Sequence, residues 1–600
     1  MEKRKASHTK APGMGAVAHA AGTTFRVWAP HADAVFVKGD FNNWHATACE
    51  LTLEDHGVWA VNVPGVGAGA QYKFSLVCGE QTLDRIDPYA KEVTNSMGCG
   101  VVVDPAGFDW GDSAFAPPPH NELVTYEMHV GSFNAVGNSP GTLASALQRL
   151  PHLRSLGVNA IEVMPIAEFA GDYSWGYNPA HMFAVESAYG GPAAFKTFVR
   201  EAHRQGFAVI LDVVYNHFGP SDLDLWRFDG WSENDGGGIY FYNDHRASTP
   251  WGNTRPDYGR GEVRQFIRDN ALMWLDDYRV DGLRMDMTLY IRSIAGVGND
   301  DLPEGWTLLQ WVNGEVRERF PQAILISEDL RNHAAMTDKP EAGGAGFHAQ
   351  WDASFVHPVR AAVIAPDDGQ RSMVAVRDAF LNRYNDDAFR RVIYSESHDE
   401  VANGKARVPQ EIDGANAQGW FARKRSTLAA ALVMTAPGIP MLFQGQEFLE
   451  GEWFRDDVPL DWAQQKDFHG IVLLYRDLVS LRRNLQGLTR GLSGQGASVH
   501  HLNDALNIIS FQRWDQHGPG DDVMVVFNFS ADPRQSYALG FPTAGLWHVV
   551  FNSDSQFYSA DFSNFESKDV LAVEGECDGL KAHAQVDIAP YSALIFSQKR

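Results

Sequence analysis

From about Leu123 onward the chain alternates apolar strand-like runs with amphipathic helical runs, and this rhythm constrains the fold more than any other feature. Tyr126–Val130 reads as a short apolar strand, TLASALQRLPHLRSLG as an amphipathic helix closed by Gly157, and VNAIEVMP as the next strand. PAAFKTFVREAHRQG follows as a helix with Gly206 at its C-cap, and the unbroken apolar run FAVILDVVY suits a buried parallel strand. Further strands are expected at Val280–Asp286, Ala323–Glu328, Arg391–Ser395 and Pro440–Phe443. About eight such units close into a barrel whose chemistry sits at the carboxyl ends of its strands. The stretch Phe218–Asp277, rich in Trp, Gly and Asp, is too long for an ordinary βα loop, so an insertion 218–277 that shapes a site is expected.

Both flanks have a different texture. Residues 23–112 are short β-favouring segments, such as TFRVWAP, AVFVKGDF and AQYKFSLV, broken by turn residues, which predicts a β-sandwich after a flexible leader at 1–22. Trp28 and Trp44 in it serve either as core or as flat platforms for the apolar face of a ligand. The Pro-rich Phe115–His120 marks a linker into a barrel spanning 120–485. After the Gly-rich RGLSGQGAS, residues 492–600 return to short strands, including LNIISFQRW, DVMVVFNFS and GLWHVVFN. The predicted fold is therefore α/β, a (β/α)8 TIM barrel between an N-terminal and a C-terminal β-sandwich.

Charge and cysteine content narrow the partners. With 50 Lys+Arg against 75 Asp+Glu, a net charge of −25 argues against nucleic acid or an anionic membrane as partner. The four cysteines, Cys49, Cys78, Cys99 and Cys577, form no C-x-x-C pair, which fits a reducing compartment. MEKRKASHTKAPGMGAVAHAAG lacks an apolar signal core, and no run approaches the ~20 apolar residues of a membrane span, so a cytoplasmic location is expected.

At four strand ends, charged or imidazole groups directly follow apolar runs: Asp212 to His217 in LDVVYNH, Arg284 and Asp286 in GLRMD, Glu328 in ILISED, and His398 with Asp399 in YSESHDE. One such carboxylate is an ordinary helix cap or surface ion-pair partner. Four sites on one barrel face are what glycosidic cleavage needs: one carboxylate to attack, one to donate and accept a proton, and one to stabilise an electron-deficient sugar ring. An Arg two residues before an Asp on a strand projects to the same side, so Arg284 is expected to lower the Asp286 pKa. Glu328 leaves an apolar strand, where partial desolvation would raise its pKa toward that of a working acid.

In the ordered set DVVYNH, GLRMD, SED and SHD the chain resembles the α-amylase family of glycoside hydrolases and transglycosidases, from about Phe25 to the end. The resemblance implies Asp286 as nucleophile, Glu328 as general acid/base and Asp399 as transition-state stabiliser. It implies that Arg284 orients Asp286, that Asp212, His217 and His398 grip the glucosyl ring, and that Tyr126 or Tyr177 supplies a stacking platform. The family retains anomeric configuration, so the Asp286 and Glu328 carboxyl groups are expected ~5–5.5 Å apart. No metal or cofactor is expected, although Asn216 matches a calcium-binding position of many family amylases.

Within the family, FRVWAPHADAVFVKGDFNNW, SHDEVANGK and GQEFLEGEWFRDDVPLDW resemble glycogen branching enzymes, whereas DVVYNHFGP, EDLRN and GFHAQWDASFVH resemble malto-oligosyltrehalose trehalohydrolases. In the latter run Trp351 is an expected substrate contact. Met287 departs from the small residue that much of the family places after its nucleophile. The implied substrate is an α-1,4-glucan or malto-oligosaccharide and the implied reaction is branching. Trehalose release or plain hydrolysis is the alternative, and a non-catalytic glucan-binding protein a remote one.

Overall fold

The computed structural model describes residues 10–111, 114–563 and 565–599. Eight strands, Thr125–Met128, Ala160–Val163, Ala208–Val213, Gly282–Met285, Ile324–Ser327, Ala349–Trp351, Arg391–Ile393 and Ile439–Phe443, close in chain order into a barrel. Every neighbouring pair is parallel. Because strand side chains alternate, Ala160, Ile210, Ile326 and Met441 fill the interior while Ile161, Leu211, Leu325 and Leu442 face the helices. Each of the Ile, Leu and Met side chains contributes roughly 1.5–3 kcal/mol by leaving water. The sixth strand, Ala349–Trp351, lies inside GFHAQWDASFVH, where no strand was expected.

Two other expectations change. TLASALQRLPHLRSLG forms two helices, Leu143–Leu147 and Leu150–Leu156, because Pro151 lacks the N–H that a continuous helix would need there. The insertion 218–277 ends at Arg260, since Gly261–Asp276 is a helix that buries Val263, Phe266, Ile267, Ala271 and Trp274 at helical spacing.

Of the leader at 1–22, residues 1–9 lie outside the described residues. The rest is not all leader: Gly15–His19 is a strand paired antiparallel with Gly22–Trp28. Gly22 turns that hairpin at φ 148, and a Cβ there would sit 2.2 Å from the Val63 carbonyl oxygen. The N-terminal domain stacks this sheet on a second one built from Ala34–Gly39, Gln71–Cys78, Gln81–Arg85 and Gly100–Val101, with Phe25, Val37, Trp59 and Phe74 between them. Trp28 is buried edge-on against Tyr240 of the barrel excursion, ring centroids 5.4 Å apart, whereas Trp44 is 38% exposed. His31 adds a contact to Asp229 at 2.9 Å. The sandwich thus braces the excursion that borders the site.

Eight antiparallel strands between Gly496 and Ser597 form one hydrogen-bonded path folded around Trp547, Phe541 and Phe596. A buried Lys424–Asp554 ion pair at 2.5 Å fastens this domain to the barrel helix Trp420–Thr435. Among the described residues no helix is long and apolar enough to cross a membrane.

Candidate active site

Asp212 and Arg284 are register partners on adjacent strands, so the pleat sends both side chains to one face. Asp286 and Glu328 each stand one residue beyond a strand, and the ladder still holds them: Asp286 N–H donates to Val213 O at 2.9 Å and Glu328 N–H to Met285 O at 3.0 Å. The buried Arg284 guanidinium gathers all three carboxylates. Its Nη1 lies 2.6 Å from Asp212 and 3.1 Å from Asp286, and its Nη2 lies 2.8 Å from Glu328.

One cation shared by three carboxylates in a dry pocket leaves negative charge uncompensated. Burial raises the Asp212 pKa to about 6 against the pull of Arg284. Burial, then the Glu328 carboxylate, pushes the Asp286 carboxyl well above the ordinary range, with Arg284 opposing. Arg284 lowers the Asp286 pKa as expected, but burial and then the Glu328 carboxylate outweigh it, so the net shift is upward. Asn216 helps to satisfy Asp286, donating from Nδ2 to Oδ2 at 2.7 Å and to its backbone oxygen at 3.0 Å. Met287 adopts φ 38, a left-handed conformation costing roughly 1–2 kcal/mol in a non-glycine residue, and its N–H thereby reaches Glu328 Oε2 at 3.0 Å.

A second charged group stands beside the first. His398 Nδ1 lies 2.5 Å from Glu127 Oε1, and its ring stacks on Tyr177 at 4.9 Å, while the Tyr177 hydroxyl donates to Asp212 at 2.5 Å. Burial alone would depress the His398 pKa, but the Glu127 carboxylate and then Asp399 overcome it and raise it to about 9. The stabilisation of this imidazolium is complete below about pH 6.5 and is lost as pH rises through about 9. Asp399 lies at the opening, its side chain 42% exposed, 3.7 Å from His398 and accepting from Asn403 Nδ2 at 3.1 Å. In a Glu127→Gln variant burial should win, so nitrogen-15 NMR is expected to show the His398 titration below about 6.5, and the alkaline limb of activity should move down with it.

His217 is buried, with Nδ1 2.5 Å from Asn216 Oδ1 and its ring stacked on Trp251 at 4.7 Å. Burial lowers its pKa to about 3, so it stays neutral. Asp286, Glu328, Arg284, Asp212, His217, Tyr177 and His398 are therefore brought together, with Asp399 at their rim. Two residues are not at the surface of the site. Tyr126 faces the helix layer, where its hydroxyl donates to Glu447 at 3.1 Å, because its neighbour Glu127 takes the inward position. Trp351 is 1% exposed inside the barrel, its ring 4.2 Å from the Arg284 guanidinium, so it supports Arg284 from below and presents no face to a substrate. Glu127, Trp251 and Asn178, whose Oδ1 lies 3.2 Å from His217 Nε2, were not foreseen. The signal for Glu127 was a lone carboxylate inside the apolar VTYEMHV; Trp251 had only its place in the aromatic excursion.

The loop bearing Tyr177 is held by a hairpin of Ala167–Phe169 and Pro179–Val185. Two buried carboxyls anchor it: Glu168 accepts from the Ser187 N–H at 2.7 Å and Glu186 from the Ala188 N–H at 2.8 Å. Burial, then the neighbouring Glu186, raises the Glu168 pKa to about 8, and burial raises that of Glu186 to about 7. Carboxyls raised in the folded state hold protons that the unfolded chain has released, so stability should fall between about pH 4.5 and 8. Glu168→Gln, which can keep the contacts to the Ser187 N–H and to Ser187 Oγ at 3.2 Å, is expected to flatten this decline and to raise Tm at pH 8 by about 2–6 °C in a calorimetric pH series.

Beside the pocket, past Phe454, opens a groove of about 560 Å³. Amide and charged groups of Gln410, Asn416, Gln418 and Glu450 line it with the 53% exposed Trp453. Polar donors around an aromatic face are the inventory that binds sugar hydroxyls and the apolar face of a pyranose.

Family models match in chain order: carbohydrate-binding module 48 (isoamylase N-terminal domain) at residues 13–90, the alpha amylase catalytic domain at 103–226, and the alpha amylase C-terminal all-beta domain at 499–599. A putative alpha amylase from Salmonella typhimurium shares the fold at TM-score 0.74 and 23% identity, covering 98% of this chain and 100% of that one. A pullulanase from Anoxybacillus sp. LM18-11 shares it at TM-score 0.76 and 23% identity, covering 98% and 87%. The 1,4-alpha-glucan branching enzyme of Marinobacter nauticus is 32% identical over 570 residues, covering 90% of this chain and 88% of its own length. That of Leifsonia xyli subsp. xyli is 33% identical over 607 residues, covering 96% and 80%. With the barrel, its Arg284-centred carboxylates and similarity along nearly its whole length, the chain belongs to the 1,4-α-glucan branching enzyme family of the α-amylase class.

Proposed function

We propose that this protein is a retaining 1,4-α-glucan branching enzyme in which Asp286 is the nucleophile, Glu328 the general acid/base and Asp399 the stabiliser of the transition state. The observation that carries the chemistry is the simultaneous contact of Arg284 with Asp212, Asp286 and Glu328. Two carboxyls on one guanidinium support the short separation, ~5–5.5 Å, that a covalent glycosyl-enzyme needs. The reaction requires Glu328 as the acid and Asp286 as the carboxylate. Ionised Asp286 attacks the anomeric carbon, the C1–O4 bond breaks, and Glu328 gives its proton to O4, so the reducing-end fragment leaves with a free 4-hydroxyl while the outer chain stays on Asp286. The Glu328 carboxylate then takes the proton of a 6-hydroxyl on another chain; that oxygen attacks C1, the ester to Asp286 breaks, and an α-1,6 branch forms with two inversions. His398, Asp212 and His217 hold the glucosyl ring, and Tyr177 forms its platform.

What separates branching from hydrolysis is the nucleophile in the second step. The groove with Trp453 and Glu450 supports the transferase reading, since a held acceptor chain outcompetes water by its effective concentration. The run that favoured a trehalohydrolase, GFHAQWDASFVH, is spent on the sixth strand and on the helix Ala353–Ile364. Four free cysteines support the cytoplasmic placement. Iodine staining of amylose tests the reading together with trehalose assay on a maltooligosyl-trehalose. Loss of the iodine complex with no trehalose released is expected; stoichiometric trehalose release would overturn it.

A further inference from the structure

A second cavity, of about 330 Å³, opens at the opposite mouth of the barrel, where the strands begin. His348 directly precedes the sixth strand and Arg390 the seventh, and Arg317 comes from the last turn of the helix Pro303–Arg319 that leads into the fifth. Lys339 and Asp387 complete the charged lining, which thus holds three cations against one carboxylate in a chain of net charge −25.

Two of these cations, Arg317 and Lys339, make no ion pair among the described residues. Arg317 uses Nε on Gly346 O at 2.7 Å and Nη2 on Phe347 O at 3.3 Å, so backbone carbonyls fix its fork, and among the described residues no carboxylate lies within ion-pair distance, Glu341 acting on it only from farther off. Lys339 likewise has none within that distance. Arg390 donates to Thr337 O at 2.7 Å and makes looser ion pairs with Asp338 at 3.6 Å and Asp387 at 3.7 Å. The Asp387 carboxylate is itself engaged by Gln495 Nε2 at 2.8 Å and the Phe389 N–H at 2.9 Å. Arg317 and Arg390 are close enough that each repels the other's charge, an arrangement that an intervening anion would relieve.

A neutral donor joins them. His348 Nδ1 accepts from the Leu325 N–H at 3.0 Å, which leaves the ring hydrogen on Nε2. Burial, then Arg317, lowers its pKa to about 3, so it holds this tautomer at neutral pH. Fixed guanidinium forks, a mobile ammonium and an oriented imidazole N–H are the donor set for a phosphate group, and the volume leaves space for an organic body of about monosaccharide size.

We propose that this cavity, lined by Arg317, Lys339, Arg390 and His348, is a binding site for a small phosphate-bearing ligand, separate from the glucan-cleaving pocket. The test is titration calorimetry of the full chain in phosphate-free, sulfate-free buffer with inorganic phosphate, glucose 6-phosphate and glucose. Saturable one-site binding of a phosphate probe is expected, weakened about tenfold in Arg390→Gln and in Arg317→Gln and about threefold in the surface variant Lys339→Gln. It should be indifferent to saturating maltoheptaose, while glucose does not compete. Equal affinity for both phosphates identifies free phosphate as the ligand; tighter glucose 6-phosphate identifies a phosphorylated sugar. No saturation by 10 mM of either probe, at about the upper limit of useful small-ligand affinity, would overturn the proposal. So would unchanged affinity in Lys339→Gln and Arg390→Gln proteins of wild-type Tm, or displacement of the probe by maltoheptaose.

Discussion

Asp286→Asn is expected to lower chain transfer by about 10⁴-fold or more, since no ester can form on a carboxamide and loss of a nucleophile costs on this order. The fold should not suffer. Asp286 is a buried carboxyl pushed up by burial and by Glu328, so replacing it with a neutral isostere relieves the pocket, and Tm at pH 8 should hold or rise. The two readouts together, activity lost and stability kept, separate a chemical role from a structural one. Residual transfer within about a hundredfold of wild type would remove Asp286 from the mechanism.

The second large effect is expected from Arg284→Ala, and its sign in stability is opposite. Removing the guanidinium strands Asp212, Asp286 and Glu328 together in a buried pocket, and breaking a buried charge cluster by deleting one partner costs about 3–5 kcal/mol. Urea unfolding should show that loss at pH 8 and a smaller one at pH 5, where protonation of Asp212 and Asp286 replaces the missing cation. Arg284→Lys should recover only part of it, because a point charge cannot span three carboxylates as a planar fork does. An unchanged midpoint in Arg284→Ala at pH 8 would show that the three carboxyls do not depend on that cation.

These residues were legible because each follows an apolar run on a parallel strand, where a charge has nowhere to be but the strand's end. LDVVYNH and GLRMD placed Asp212, Asp286 and Arg284 correctly for this reason. The same rule of alternation, applied within one strand, would have corrected Tyr126: if Glu127 points inward to His398, its neighbour must point outward. The sixth strand was hidden by its length of three residues and its polar Gln350, which left too little periodicity to read. Trp351 went astray with it. An aromatic was expected to meet substrate, but its position beneath Arg284 depends on a strand pairing that no local pattern encodes. The pKa reading had the right sign for the Arg284–Asp286 pair but missed the larger, opposing effects of burial and Glu328. Arg284 and Asp286 are two residues apart and visible as a pair, whereas the competing claims of Asp212 and Glu328 on the same guanidinium arise only when three strands meet.

Branching makes one bond for each it breaks and creates no net reducing end, whereas hydrolysis creates one per cleavage. Proton NMR of the anomeric region during incubation with amylose measures both at once. New α-1,6 signals that grow as α-1,4 signals fall, with the reducing-end signals constant, are the expected result. A rise in reducing ends matching the α-1,4 bonds lost, without α-1,6 signals, would contradict the account.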